Sequence, residues 1–190
     1  MKHGRVLLCV FALLLAGCRR DGSSGDAAPT APAAKAGGTL IQTEHVRFMF
    51  PAGWQRSDPT SKMRIAQATI PGPGGPAELA VFYFGPGQGG GVDANLDRWI
   101  SQMDVASGAP PRRESFQVSG CNVTWIDLAG TLKPGPMGMG PSTAQPGARL
   151  LGAVVEGPNG PWFFKATGPD ATVSAARDGF LAMLKSIRAN

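Results

Sequence analysis

The sequence predicts an α+β fold: a single domain over residues 39–190 whose largely antiparallel β-sheet is flanked by helices. Three observations predict it. Short apolar runs alternate with polar residues and stop at glycine and proline clusters, as half-buried strands do. Two pairs of runs are joined by tight-turn residues, Ser119-Gly120 and Gly157-Pro158-Asn159-Gly160, which connect neighbouring strands in opposite directions. Two further stretches repeat apolar residues at helical spacing, one after a glycine-rich segment and one near the end of the chain.

Each element follows in order. Val46-Arg47-Phe48-Met49-Phe50 alternates and stops at Pro51, where Pro51-Ala52-Gly53 turns the chain before Trp54. Residues 65–70 form a second strand, ended by PGPGGP. Residues 78–84 form a third, whose unbroken apolar run places it centrally, covered on both faces. Leu96, Trp99, Ile100 and Met103 fall at i, i+3, i+4 and i+7, which predicts a helix over 93–104 with Asp93 capping or charge-stabilising its first turn. Residues 116–118 and 123–132 make a hairpin. The run 133–147 holds too much glycine and proline for a regular element and is a loop. Residues 150–156 and 162–165 make the closing hairpin. A last helix over 171–187 puts Val173, Ala176, Phe180, Leu184 and Ile187 on one face, against the sheet.

The segment before residue 39 has a different character. Lys2 and Arg5 precede an apolar stretch over 6–16, too short for a permanent span of roughly 20 residues, so residues 1–17 are a secretory signal peptide. Residues 21–38, DGSSGDAAPTAPAAKAGG, contain almost nothing that could offset the entropy of ordering. Residues 18–38 therefore form a flexible tether, of which residues 21–38 have an end-to-end distance of about 23 Å for a chain of this kind.

Charge and cysteine content narrow the function. The formal net charge is +5, but five basic and two acidic residues lie before residue 39, which leaves +2 on the domain. That is no footprint for a phosphate backbone, and no nucleic-acid partner is expected. Cys9 and Cys18 belong to the export segment, so Cys121 is the one thiol of the domain and forms no internal disulfide. It has no histidine nearby in sequence and reads as a small core hydrophobe.

The literal pattern Gly85-x-Gly87-x-x-Gly90 stands between an apolar run and a helix, where a dinucleotide loop would be. The rest of that apparatus is missing. Pro86 removes a backbone donor, no Gly-Lys-Ser/Thr follows, and the next elements are hairpin strands instead of a parallel β-strand with its ribose-binding acid. The glycines of residues 85–91 are expected to turn a strand end into a helix, and no cofactor is expected.

Other chemistry is equally sparse. Once His3 leaves with the signal, His45 is the only imidazole, which excludes a two-histidine metal site within one chain. His45 has no nucleophile-elbow motif to serve. Asp93 and Asp97, one helical turn apart, are explained by the helix dipole. Met137 and Met139 offer at most a thin thioether set for copper(I). No catalytic or metal residue is therefore assigned.

Leu15-Ala16-Gly17-Cys18 resembles the lipobox of bacterial lipoproteins, in which the cysteine sulfur takes a diacylglycerol and the chain is cut just before it. The resemblance implies lipidation at Cys18 and a membrane partnership through its acyl chains, since each buried methylene contributes about 0.8 kcal/mol and two chains anchor firmly. Arg19, where an inner-membrane retention signal would have aspartate, implies the outer membrane of the cell envelope where two membranes are present.

Phe48-Met49-Phe50-Pro51-Ala52-Gly53-Trp54 and Phe163-Phe164-Lys165-Ala166-Thr167-Gly168-Pro169 are similar to segments of exported bacterial proteins of the PsbP-like fold. Met63-Arg64-x-Ala66 and Phe82-Tyr83-Phe84-Gly85 resemble runs in uncharacterised lipoproteins. The PsbP-like resemblance implies an α/β/α sandwich, and mostly assembly or scaffolding roles without a shared catalytic set. The expected function is that of a non-enzymatic, lipid-anchored envelope protein with an envelope protein partner. Trp54, Trp162 and the glycine-rich loops are its candidate contacts. The alternative is a small-ligand binder or enzyme with a cleft between sheet and helices near Arg64, Tyr83 or Arg149.

Overall fold

The computed structural model describes residues 37–105, 110–135 and 141–190. Strands β1 (Thr39–Gln42) and β2 (Val46–Phe50) pair and are joined by the terminal β11 (Arg188–Ala189) into a small sheet. The main sheet is built from β3 (Gln55–Ser57), β4 (Arg64–Ile70), β5 (Ala77–Tyr83), β6 (Met103–Val105), β7 (Arg112–Val118), β8 (Cys121–Leu132), β9 (Gln145–Gly157) and β10 (Gly160–Pro169). Its order is β3-β4-β5-β10-β9-β8-β6, and β7 also pairs with β8. Among the described residues every strand pair is antiparallel. The largely antiparallel sheet is thus as the sequence predicts.

Period-two patterning explains the sheet's two faces. In β2 the side chains of Val46, Phe48 and Phe50 are buried while those of Arg47 and Met49 are not. Phe48 and Phe50 meet Phe164, Phe180, Trp125 and Leu151 on one face of the main sheet. Helices α2 (Asp170–Ala175) and α3 (Arg177–Lys185) close that side, α2 resting on β9 and β10 and α3 on β2. On the other face α1 (Val92–Ser101) lays Leu96 and Trp99 against Ile126, Leu150, Val154 and Phe163. Gly152 of β9 permits this approach: a Cβ there would sit 2.4 Å from the Trp99 ring.

Several boundaries differ from the sequence reading, each for a physical reason. The first helix ends at Ser101, and Met103 opens β6, paired with Leu132. It joins the same apolar cluster as Leu96 from a strand. Asp93 makes no cap, since Gly91 is the N-cap; it is ion-paired with Arg113 at 2.7 Å.

The last helix is two, bent at Ala176. Thr172 holds the first to the 71–76 loop, its hydroxyl accepting from Gly74 N–H and donating to Gly75 O, while the second turns to reach β2. Strand β9 begins at Gln145, inside the run expected to be loop. There Pro146 lacks a donor and Gly147 has φ +66°, and the register against β8 shifts between Gly130 and Leu132. The four short strands β1, β3, β6 and β11 have too few residues to show an alternation.

Candidate functional site

Helix α1 is short, and it covers only part of its face of the sheet. Over β4, β5 and β10 that face carries Arg64, Gln67, Glu78, Ala80, Phe82, Phe163 and Lys165, brought side by side by the registers Phe82↔Phe163, Ala80↔Lys165, Arg64↔Phe82 and Gln67↔Ala80. Ala80 and Gln67 are buried although no helix lies over them, because long polar side chains cover the sheet in its place.

Hydrogen bonds order this layer. Arg64 is 3.0 Å from the Glu78 carboxylate and donates to Gln67 Oε1 at 2.6 Å. Gln67 in turn donates to Ser57 Oγ, while the Thr60 amide and hydroxyl donate to its Oε1. From α1, Gln102 Oε1 accepts from Lys165 Nζ, and Arg98, one turn before Gln102, donates to Asn95 Oδ1.

The charges do not balance. Arg64, Arg98 and Lys165 face Glu78 alone, and neither Lys165 nor Arg98 has a carboxylate partner among the described residues. Burial lowers the Lys165 pKa first, Arg98 and Arg64 lower it further, and Glu78 raises it, so the ammonium titrates at about 8. Beside it the Arg64 guanidinium lies 6.0 Å from the Phe82 ring centroid, and Phe82 stacks on Phe84 at 6.2 Å. Phe84, Met63 and Ile65 are exposed at the same end of the β4–β5 pair.

The residues singled out from sequence are dispersed by the fold. Cys18, residues 1–36, Met137 and Met139 lie outside the described residues. Of the cleft candidates only Arg64 belongs to the layer beside α1. Tyr83 points to the other face, where it stacks on Trp162 at 4.4 Å and meets the His45 ring edge-on at 5.1 Å. Arg149 is no ordinary surface pair: it lies 2.6 Å from both Asp170 and the buried Asp127, which Arg177 holds from the other side. Trp162, a candidate contact whose commoner alternative is a core position, is 2% exposed, and Trp54 is half-buried against Phe50. Trp162 shares a face with Phe164 and lies in the core.

The glycine loop serves packing. Gly85, Gly87, Gly89 and Gly90 all have positive φ, and a Cβ at Gly89 would strike the Phe163 ring at 2.6 Å. The Asn95 amide donates to the Gly89 and Gly91 carbonyls, both at 2.9 Å, tying the loop to α1. A shallow depression of about 180 Å³ lies there, but Glu156 lines it, a poor neighbour for a phosphate.

Asp97 is exposed on α1. Cys121 is buried, and burial pushes its thiol pKa up, which disfavours the thiolate a nucleophile needs.

No protein-family model matches this chain, and no curated protein is similar to it in sequence.

Lys165, Arg98 and Gln102 did not stand out in the sequence, although two signals exist. Lys165 interrupts the apolar run Trp162-Phe163-Phe164 with the same parity as the buried Phe163, and Arg98 and Gln102 are four residues apart on one helix. Together they form a half-buried cationic surface bordered by the exposed Phe84 ring, whose charge favours anionic over cationic neighbours.

Proposed function

We propose that the chain is a lipid-anchored protein of the bacterial cell envelope whose domain is a binding, assembly or scaffolding module rather than an enzyme. The observation that carries the anchor is Leu15-Ala16-Gly17-Cys18 directly after an apolar run of signal-peptide length. Cys18 takes the acyl chains, Arg19 directs the protein to the outer membrane, and residues 21–38 let the domain stand off the bilayer.

The part of the domain that supports a binding role is the incomplete cover of the main sheet. Exposed Phe84, Met63 and Ile65 border cations with too few counter-charges, a surface more suited to meeting a partner than to facing water. The envelope partner is proposed to dock at this end of the β4–β5 pair instead of at Trp54 and Trp162. The finer fold proposed is the PsbP-like sandwich, supported by helices on both faces of the antiparallel sheet.

Replacing the anchor sulfur tests this. Cys18→Ser is expected to leave the domain folded, with its thermal unfolding unchanged, and to move it from the membrane pellet to the soluble or unprocessed fraction. A variant still wholly in the pellet with the same electrophoretic mobility as the parent contradicts the anchor.

A further inference from the structure

Lys165 has an unusual setting for a lysine in a sheet. Its stem covers Ala80, its ammonium is held by the neutral oxygen of Gln102, and two of its charged neighbours, Arg98 and Arg64, repel it. Arg64 already shares its charge with Glu78, which leaves Lys165 and the exposed Arg98 without a counter-ion among the described residues. Hydrogen-bonded only to a neutral oxygen, Lys165 is disfavoured as a cation first by burial and then by the charges of Arg98 and Arg64, which Glu78 only partly offsets, and an anion held by Lys165 and Arg98 would reduce that cost. The flat neighbours are also specific: Phe82 is diagonal to Lys165 in the β5–β10 register, and the exposed Phe84 stacks on Phe82.

We infer that this half-face is a binding site for a small organic carboxylate carrying a flat apolar group. Lys165 and Arg98 hold the carboxylate and the Phe82–Phe84 pair receives the ring. Arg98 supplies two parallel donors and Lys165 a point charge. The Asn95 and Gln102 oxygens now bonded to them position the two cations while the site is free. This goes beyond the protein docking proposed for the same end of the sheet: it rests on the same open face, names a small-molecule occupant for it, and does not depend on the anchor.

Because Lys165 titrates at about 8, the site is charged at neutral pH and loses an attractive charge above it. A bound carboxylate stabilises the ammonium, so binding between pH 8 and 9 takes up protons, and affinity falls as pH rises through that range.

The experiment is a titration of the full-length chain, ¹³C-labelled at lysine and arginine, with sodium benzoate, sodium acetate and inorganic phosphate at constant ionic strength. Benzoate is expected to shift the Lys165 Cε and Arg98 Cδ signals saturably and to bind about tenfold more tightly than acetate, from partial burial of the ring. Lys165→Met and the exposed Arg98→Ala should each weaken it by about tenfold. Phe84→Ala should bring benzoate to the level of acetate. Equal, non-saturating shifts with all three salts would overturn the site, and so would phosphate binding more tightly than benzoate. The Cys18→Ser chain should give the same titration, so failure of the anchor and failure of this site are separately visible.

Discussion

At the scale of single residues, Asp127 carries the largest energetic consequence. It sits buried in β8 between the Arg149 and Arg177 guanidiniums, which reach it from β9 and from the start of α3. Removing the carboxylate leaves Arg149 and Arg177 beside an empty, buried position, and breaking such a pair costs about 3–5 kcal/mol. Asp127→Ala is therefore expected to lower the urea midpoint sharply with little change in slope.

Lys165 gives a different signature. Its folded pKa of about 8 lies below its ordinary value of 10.5, so between these values the unfolded chain binds more protons. Stability then rises with pH across that window, and below pH 8 the full cost of the buried charge is present. Lys165→Met should flatten the rise between pH 8 and 10.5 in unfolding measured across pH. Neither residue was legible beforehand: Asp127 lies inside an apolar strand, and its partners are 22 and 50 positions away, a separation that no local pattern encodes.

At the scale of elements, the contact between α1 and β9 depends on the absence of a side chain. Gly152→Val would push Trp99 and with it α1, at about 1–3 kcal/mol for overpacking, with altered near-ultraviolet circular dichroism of tryptophan as the readout.

The elements with strong local chemistry were readable. Alternation fixed β2, and Ser119-Gly120, with φ of +47° and +76°, makes the tight turn expected between β7 and β8. What escaped were boundaries set by tertiary partners. Met103 has helical spacing yet pairs with Leu132, and β9 starts in a glycine-proline run because β8 supplies hydrogen bonds to it around a bulge. The bend at Ala176 is likewise invisible in a helical repeat whose five apolar residues are all buried, as a single straight helix would also have them.

At the scale of the whole molecule, the largely antiparallel fold was legible because turn residues and alternation act locally and point to antiparallel pairing, whereas the separation of β2 into a small sheet with β1 and β11 rests on distant partners and was not. The proposed binding face was not, since it arises where a short helix fails to cover a wide sheet, a comparison of two sizes that only the assembled structure makes. We propose that the domain is attached to a bilayer through Cys18, so that the cationic face beside Phe84 meets whatever the envelope presents. One mass spectrum of the N-terminal peptide from membrane-purified protein tests it most directly. The expected peptide begins at Cys18 and carries a diacylglycerol on its sulfur; a peptide containing an unmodified Cys18, or a mature chain beginning beyond it, would rule out the anchor.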